Sequence, residues 1–441
     1  MAASNEQTPL LSSEGVPDNG QVEPQDPDED VSDCSVEATR EDAKDTQISY
    51  CNDAEVAPDT SSAESCTLQS DKCANKKILG IFVVAFDTKE GNILEWSSPT
   101  NLPLEDVEFR ALISGAHTIT SDFIYFKQNE FYGCASYEKM CVLSEMERGA
   151  RMKSVGVIVQ RHENLAYHLN FLAAQVRQML TNPGDYKDLQ EYYLKNKGEI
   201  VTPAQSPLQK NYSYSTIATS NFAQEKSGTQ CLLSFFQFFG SQVIQLWRAV
   251  LLRRRILFFS PPPIGPVCMR VYCLSLLGSH TTPGLPKHLI KPLFYVNIVD
   301  ADSLEDEFSY VACTTEKIFE EKLNLWDIYI DNQNVRVPQS LKHQLSISSQ
   351  DKKRLAALQN LIEDPTTSKA DYVEFFKQIN NCIFAKLYEV GQSDNPILNH
   401  SAILDMGLNP RQDKTFLIDL AKTHGFDVTI ESDRNCCCCF S

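Results

Sequence analysis

The chain closes on Cys436-Cys437-Cys438-Cys439-Phe440-Ser441, four adjacent thiols among fifteen cysteines. Adjacent cysteines lack the spacing of a tetrahedral zinc site, so the chemistry open to them is that of reactive thiols or of lipid attachment. The last four residues have the form of a prenylation signal on Cys438, with the terminal serine favouring farnesyl and Phe440 a poorer fit than a small aliphatic residue. Neighbouring Cys436, Cys437 and Cys439 could carry the second acyl anchor that stable attachment requires; plain reactive or acylated thiols are the preferred reading. At the other end, "EQTPLL" contains Glu6, Leu10 and Leu11, which resembles the acidic dileucine signals read by coat adaptors on endosomal membranes.

Elsewhere the chemistry-bearing types are scattered. His117, His162, His168, His280, His288, His343, His400 and His424 form no spaced set. Lone histidines of this kind are expected to be surface or internally satisfied residues. There is no phosphate-cradling glycine loop, no metal-spaced Cys/His cluster and no nucleophile elbow. No bound cofactor and no metal are expected, and a binding or regulatory role is favoured over bond-making catalysis.

The 441 residues are 42% hydrophobic and 10% aromatic, enough for two or three cored units. The net charge of −18 is unevenly spread. Residues 1–75 hold eighteen acids against Arg40, Lys44 and Lys72, while the remainder carries forty acids and thirty-seven bases. A nearly neutral body and an acidic tail give no basic footprint for nucleic acid. The tail is too polar to offset chain entropy and is expected to be disordered. It lacks a secretory signal, and fifteen cysteines without framework spacing read as free thiols, so a cytoplasmic protein is expected.

Structure is expected from Lys76 onward. "ILGIFVVAFDTKEGNILEW" reads as a hairpin, "EDVEFRALISG" as a short helix, "DFIYFKQNEFYGCASYE" as a second hairpin and "MKSVGVIV" as a strand. Leu165, Leu169, Leu172, Val176 and Leu180 then recur at helical spacing. After a polar stretch, "ILFFS", "LFYVNIVD", "SYVACTT" and "WDIYID" read as strands with "EKIFEEKL" helix-like between them, and from about Ser348 the pattern is helical. The expected organisation is a disordered tail (1–75), an α/β lobe (76–197), a polar linker (198–230), a second α/β lobe (231–345), a helical lobe (346–434) and a cysteine-rich end (435–441).

Residues 231–252, "CLLSFFQFFGSQVIQLWRAVLL", are long enough to cross a bilayer, with Arg253–Arg255 as a cytoplasmic flank. Ser234, Gln237, Ser241, Gln245 and Arg248 nevertheless fall on one helical face. A soluble helix with one wet edge is therefore favoured over a membrane span. The three arginines read as the end of that helix, and "ILFFS" as a short buried strand stopped by Pro261–Pro263. A nuclear signal wedged between apolar segments would be poorly accessible.

Together, "DFIYFKQNEFYG", "ERGARMKSVGVIV", "LWRAVLLRRRILFFSPPPIG", "SYVACTTEKIFEEKLNLWDIYIDNQNV" and "MGLNPRQDKTFLIDL" resemble the DENN-domain family, most closely its LCHN-type members, over roughly residues 76–430. The resemblance implies an α/β fold built from a longin-like N-terminal lobe, a central α/β DENN lobe and a C-terminal helical lobe. It implies a guanine-nucleotide exchange factor for Rab-class small GTPases in membrane trafficking, binding its GTPase across the two α/β lobes and loosening GDP without covalent chemistry. Related longin–DENN proteins such as folliculin imply a rival, in which an arginine finger stimulates hydrolysis. Arg148 stands in a similar motif context. A solvated or capping arginine pair, Arg148 and Arg151, is the plainer reading. A third alternative is a scaffold that recruits a GTPase or adaptor without acting on it.

Overall fold

The computed structural model describes residues 77–144, 146–199, 225–286 and 288–431. The acidic tail, its Glu6/Leu10/Leu11 motif, residues 200–224 of the polar stretch and Cys436–Cys439 lie outside the described residues.

The fold is α/β, organised on one ten-stranded sheet. Five strands come from the first half of the chain: β1 (Gly80–Asp87), β2 (Gly91–Ser98), β3 (Ser121–Gln128), β4 (Phe131–Cys141) and β5 (Ala150–Val159). Five come from the second: β6 (Ile256–Phe259), β7 (Lys291–Tyr295), β8 (Tyr310–Thr314), β9 (Ile328–Asp331) and β10 (Asn334–Arg336). Their order is β10-β9-β6-β8-β7-β3-β4-β5-β1-β2. The first five pair antiparallel, whereas β6–β9 pair parallel. The two sets join through β3 and β7 at a single parallel register pair, Phe126 with Tyr295.

Parallel strands must be covered on both faces, and their alternation meets that need. Ile256, Phe258, Val311, Cys313, Ile328 and Ile330 enter the main core, which also holds residues of α4 (Glu225–Phe239), α5 (Gln242–Leu251) and α6 (Gly265–Leu276). Leu257, Tyr310, Ala312 and Tyr329 face the other way, into a smaller core with Leu304 of α7 (Ala301–Asp306) and Trp326. In the first half, α1 (Val107–Ala111), α2 (Leu169–Thr181) and α3 (Lys187–Asn196) surround the antiparallel strands, with Leu172, Val176 and Met179 of α2 fully buried.

Three local expectations are corrected. Leu165 belongs to a 3-10 turn, His162–Tyr167, and α2 starts at Leu169. "EKIFEEKL" forms only a 3-10 turn, Lys317–Glu320. The apolar stretch 231–252 is two helices, because Gly240 adopts φ +53 and ends α4. Among the described residues, no helix is long and apolar enough to cross a membrane.

The polar stripe also divides at that break. Ser234, Gln237 and Ser241 are exposed as expected, but Arg248 is fully buried. It meets Asp351 and Asp413, both fully buried, and its guanidinium lies 4.6 Å from the Phe416 ring centroid. Asp351 belongs to the N-terminal capping box of α8 (Ser349–Glu363), and Asp413 stands at the head of α11 (Lys414–His424). Between them run α9 (Lys369–Gly391), started by a second capping box from Ser368 and Asp371, and α10 (His400–Asp405). Gly425 takes the left-handed conformation that ends α11.

The next three arginines anchor three separate elements. Arg253 donates to the Leu289 carbonyl (3.1 Å), Arg254 to Asp419 (3.2 Å) and Arg255 to Asp327 (3.1 Å). The helix-to-strand joint is therefore framework, and β6 is the short buried strand that the proline stop predicts.

Candidate functional site

The two halves of the sheet share one backbone register pair, so side chains must align them. Asp122 at the start of β3 reaches across to the N-terminus of α6. Its carboxylate accepts from the amides of Ile264 (2.6 Å), Gly265 (3.0 Å) and its own neighbour Phe123 (2.9 Å). Free amides and the helix dipole favour a carboxylate there. Burial raises the Asp122 pKa above its usual range, against the opposing pull of those amides. Gly265 is required for this approach: an added Cβ would lie 2.6 Å from the Asp122 carboxylate and 2.7 Å from the Phe123 carbonyl.

A second clasp lies beyond the carboxyl ends of the parallel strands. Arg110 of α1 donates to Asp300 (2.5 Å), to Gln128 (3.3 Å) and to the Glu105 carbonyl (3.1 Å). Asp300 also accepts from the Asn297 amide (2.9 Å), closing a capping box after β7. Around this clasp stand apolar side chains from both halves: Phe109 is 42% exposed, Ile298 42%, Val299 52% and Ile318 49%. Beneath them Glu316 takes the Ile298 amide, and its pKa is raised by burial. One Glu316 carboxylate oxygen is buried without a hydrogen-bond partner among the described residues. Apolar groups beside an orphan acceptor, outside the carboxyl ends of a parallel sheet, form the kind of surface that open α/β folds use for binding.

The loop through residues 112–118 continues this surface into the first half, with Gly115 packed close to Pro262. Its far side floors a cleft of about 440 Å³ that includes His117, Lys139 and Arg148. Arg148 is exposed, holds φ +50 and makes no ion pair among the described residues. Arg151 differs: it grips Glu147 through two contacts (2.8 and 3.0 Å) and caps α2 at the Leu180 carbonyl (2.6 Å). The capping reading therefore describes Arg151, and exposed Arg148 fits the solvated one while lining the cleft. The clasp residues were absent from the sequence-level candidates. Arg110 and Asp300 lie 190 positions apart, and no spacing rule links them.

The fold brings His162 and His288 together, with ring centroids 6.3 Å apart, although their sequence positions form no spaced set. His168 contacts the Tyr192 hydroxyl (2.8 Å) and His424 the Leu251 carbonyl (2.8 Å), while burial lowers the pKa of His280 and His424. Among the described residues, no group of three or more His, Cys, Asp or Glu side chains is arranged to hold a metal ion.

Comparison with known proteins agrees with this architecture. Residues 81–342 match the family model described as DENN domain-containing protein 11. Proteins of that name are similar over 82% of this chain: the Danio rerio protein is 41% identical across 386 residues and 78% of its own length. The Xenopus laevis protein is 42% identical over 378 residues and 87% of its length, and the Mus musculus protein 42% over 379 residues and 83%. With a family model across the sheet and relatives reaching beyond it, this chain belongs to the DENN domain-containing protein 11 family.

Proposed function

We propose that this protein is a guanine-nucleotide exchange factor for a Rab-type small GTPase, acting in membrane trafficking. DENN-domain proteins in general act on Rab GTPases in this way. The observation that carries the reading for this chain is the two-sided surface around the Arg110–Asp300 clasp, where Phe109, Ile298, Val299 and Ile318 are exposed and one buried oxygen of Glu316 has no hydrogen-bond partner among the described residues. Exchange needs tighter binding of the nucleotide-free GTPase than of its GDP form, which a shaped surface supplies without a proton-transfer pair. Release of a fluorescent GDP analogue from a panel of Rab proteins is the test. Acceleration with at least one, lost in Val299→Asp with the fold intact, is expected. No acceleration with any would overturn the reading.

A second reading is favoured by one specific observation, the exposed Arg148, without an ion pair among the described residues, beside the cleft of His117 and Lys139. As an arginine finger it would raise GTP hydrolysis by several powers of ten. Equal hydrolysis with wild type and Arg148→Ala would eliminate it. Binding of a Rab protein with neither activity would leave a GTPase- or adaptor-binding scaffold. The proposed cytoplasmic location includes peripheral attachment to endosomal or other intracellular membranes, through lipid on Cys438 with Cys436, Cys437 and Cys439 as further sites. The Glu6/Leu10/Leu11 motif would be read by coat adaptors. An unaltered membrane fraction with Cys438→Ser would refute anchoring through that residue.

A further inference from the structure

Two thiols from different helices meet behind the joint made by α6. Cys231 of α4 and Cys273 of α6 bring their sulfurs to 3.2 Å. Cys273 is fully buried, whereas Cys231 is only partly so. Beside them stands Lys369, at the first turn of α9 and only 5% exposed. Its ammonium lies 3.2 Å from the Tyr272 hydroxyl and 5.2 Å from that ring's centroid.

No carboxylate pairs with Lys369 among the described residues; burial lowers its pKa, and the two nearby thiol groups oppose that shift. A buried ammonium without a carboxylate is costly, and a thiolate beside it offsets that cost. Arg270, whose guanidinium sits 3.7 Å from the Phe238 ring centroid, adds a second cation acting on Cys231. The Cys273 hydrogen bond and these cations lower the Cys231 pKa, while burial raises that of Cys273. The pair is thus divided into a partly exposed thiol whose ionisation its neighbours favour and a fully buried thiol held 3.2 Å from it. The neighbouring pair, Cys268 and Cys313 at 3.6 Å, is fully buried on both sides and offers an oxidant no approach.

We propose that Cys231 is a hydroperoxide-reactive thiol and Cys273 its resolving partner, forming a reversible disulfide that staples α4 to α6. The Cys231 thiolate attacks one peroxide oxygen and the O–O bond breaks. Sulfur becomes a sulfenic acid, and the departing oxygen takes a proton and leaves as water when the oxidant is hydrogen peroxide. The Cys273 sulfur then attacks the sulfenic sulfur. An S–S bond forms, and the hydroxide released combines with the Cys273 proton as a second water. Two thiols give up two electrons and two protons, and one peroxide becomes two waters. A dithiol reductant reverses the bond by exchange. The staple would fix α4, which follows residues 200–224, to the helix that Asp122 holds from the first half of the chain.

The test uses the reduced full-length protein, stoichiometric hydrogen peroxide, alkylation and peptide mass spectrometry. The expected product is a Cys231–Cys273 cross-linked peptide about 2 Da lighter than its reduced parts. In Cys273→Ser, dimedone should trap the sulfenic acid on Cys231, and this readout does not depend on the fold of a lysine variant. Lys369→Met should slow Cys231 oxidation by roughly fivefold or more at neutral pH, with Lys369→Arg restoring it. The proposal is overturned if Cys231 oxidises no faster than exposed Cys382 in the same digest. It is also overturned if the disulfide joins other cysteines instead. Neither result depends on any GTPase.

Discussion

Arg110 and Arg248 each bridge distant parts of the chain, but in different surroundings. Arg110 and Asp300 keep 14% and 10% of their side-chain surface in water, at a seam where the sheet itself contributes one backbone pair. Arg248, Asp351 and Asp413 keep none. Near water an ion pair is weak, and its partners are easily re-solvated. In a dry interior each charge depends on the others, and removing one strands the rest. The α5–α8–α11 seam is therefore built to hold. The seam between the two halves of the sheet, clasped by a pair that keeps some contact with water, is expected to rearrange at lower cost, and the proposed docking surface lies across it.

Arg248→Met gives the largest expected effect. It would leave two carboxylates buried without their cation, with Arg354 still paired to Asp351 at 2.8 Å but no replacement for Asp413. A loss of about 3–5 kcal/mol in chemical denaturation is expected, against about 1–2 kcal/mol for Arg110→Met. Equal losses would erase the distinction between the seams. Gly265→Ala probes the α6 joint from its backbone side. Its new methyl would meet the Phe123 carbonyl, which cannot swing away as a flexible side chain could. A loss of roughly 1–3 kcal/mol is expected, and full thermal stability would show that α6 can shift off β3 freely.

The parts of this fold that were legible in the sequence are those with local causes. Hairpin β3–β4 announces itself by aromatic runs around Asn129, which takes φ +53 in the turn. Apolar periodicity from about Ser348 marks α8 and α9, and Pro261–Pro263 closes β6. The α/β class followed from such elements. Arg248 was misread because helical periodicity reports which side chains share a face, not what covers that face; its acids lie 103 and 165 positions away. The joining of both halves into one sheet was hidden for the same reason, since Phe126 and Tyr295 carry no mutual signal. Arg148 was legible as a candidate only through family resemblance, and its cleft only through the folded loop at residues 112–118.

Asp122 offers a pH-dependent comparison within the softer seam. At neutral pH, Asp122→Asn removes an acceptor and turns an amide group toward the α6 N-terminus, an expected loss of about 1–2 kcal/mol. The folded carboxyl has a pKa raised from 3.8, chiefly by burial. The folded state therefore binds that proton more tightly than the unfolded chain does. The corresponding stabilisation is complete below the unfolded value of 3.8 and is lost as pH rises through the folded value. Wild type should thus gain stability relative to Asp122→Asn on acidification towards pH 4. A gap between the two proteins that stays constant from pH 7 to 4 would mean that Asp122 is as well solvated as a surface carboxylate.

Arg254→Ala should have the smallest effect and bears on both seams. The side chain ties the α5–β6 joint to Asp419 of α11, with 26% and 27% of the two side chains exposed. A pair that wet is worth about 0.5–1 kcal/mol. The buried Nε of Arg254 has no hydrogen-bond partner among the described residues, so its removal relieves a cost and keeps the net loss small. Its neighbours Arg253 and Arg255 hold other elements, so the joint should survive and exchange on a responsive Rab protein should be unchanged. If stability were untouched while GTPase binding disappeared, Arg254 would belong to the docking surface. The contact would then have moved from the seam that can rearrange to the one that holds, and the assignment of roles to the two seams would have to be reversed.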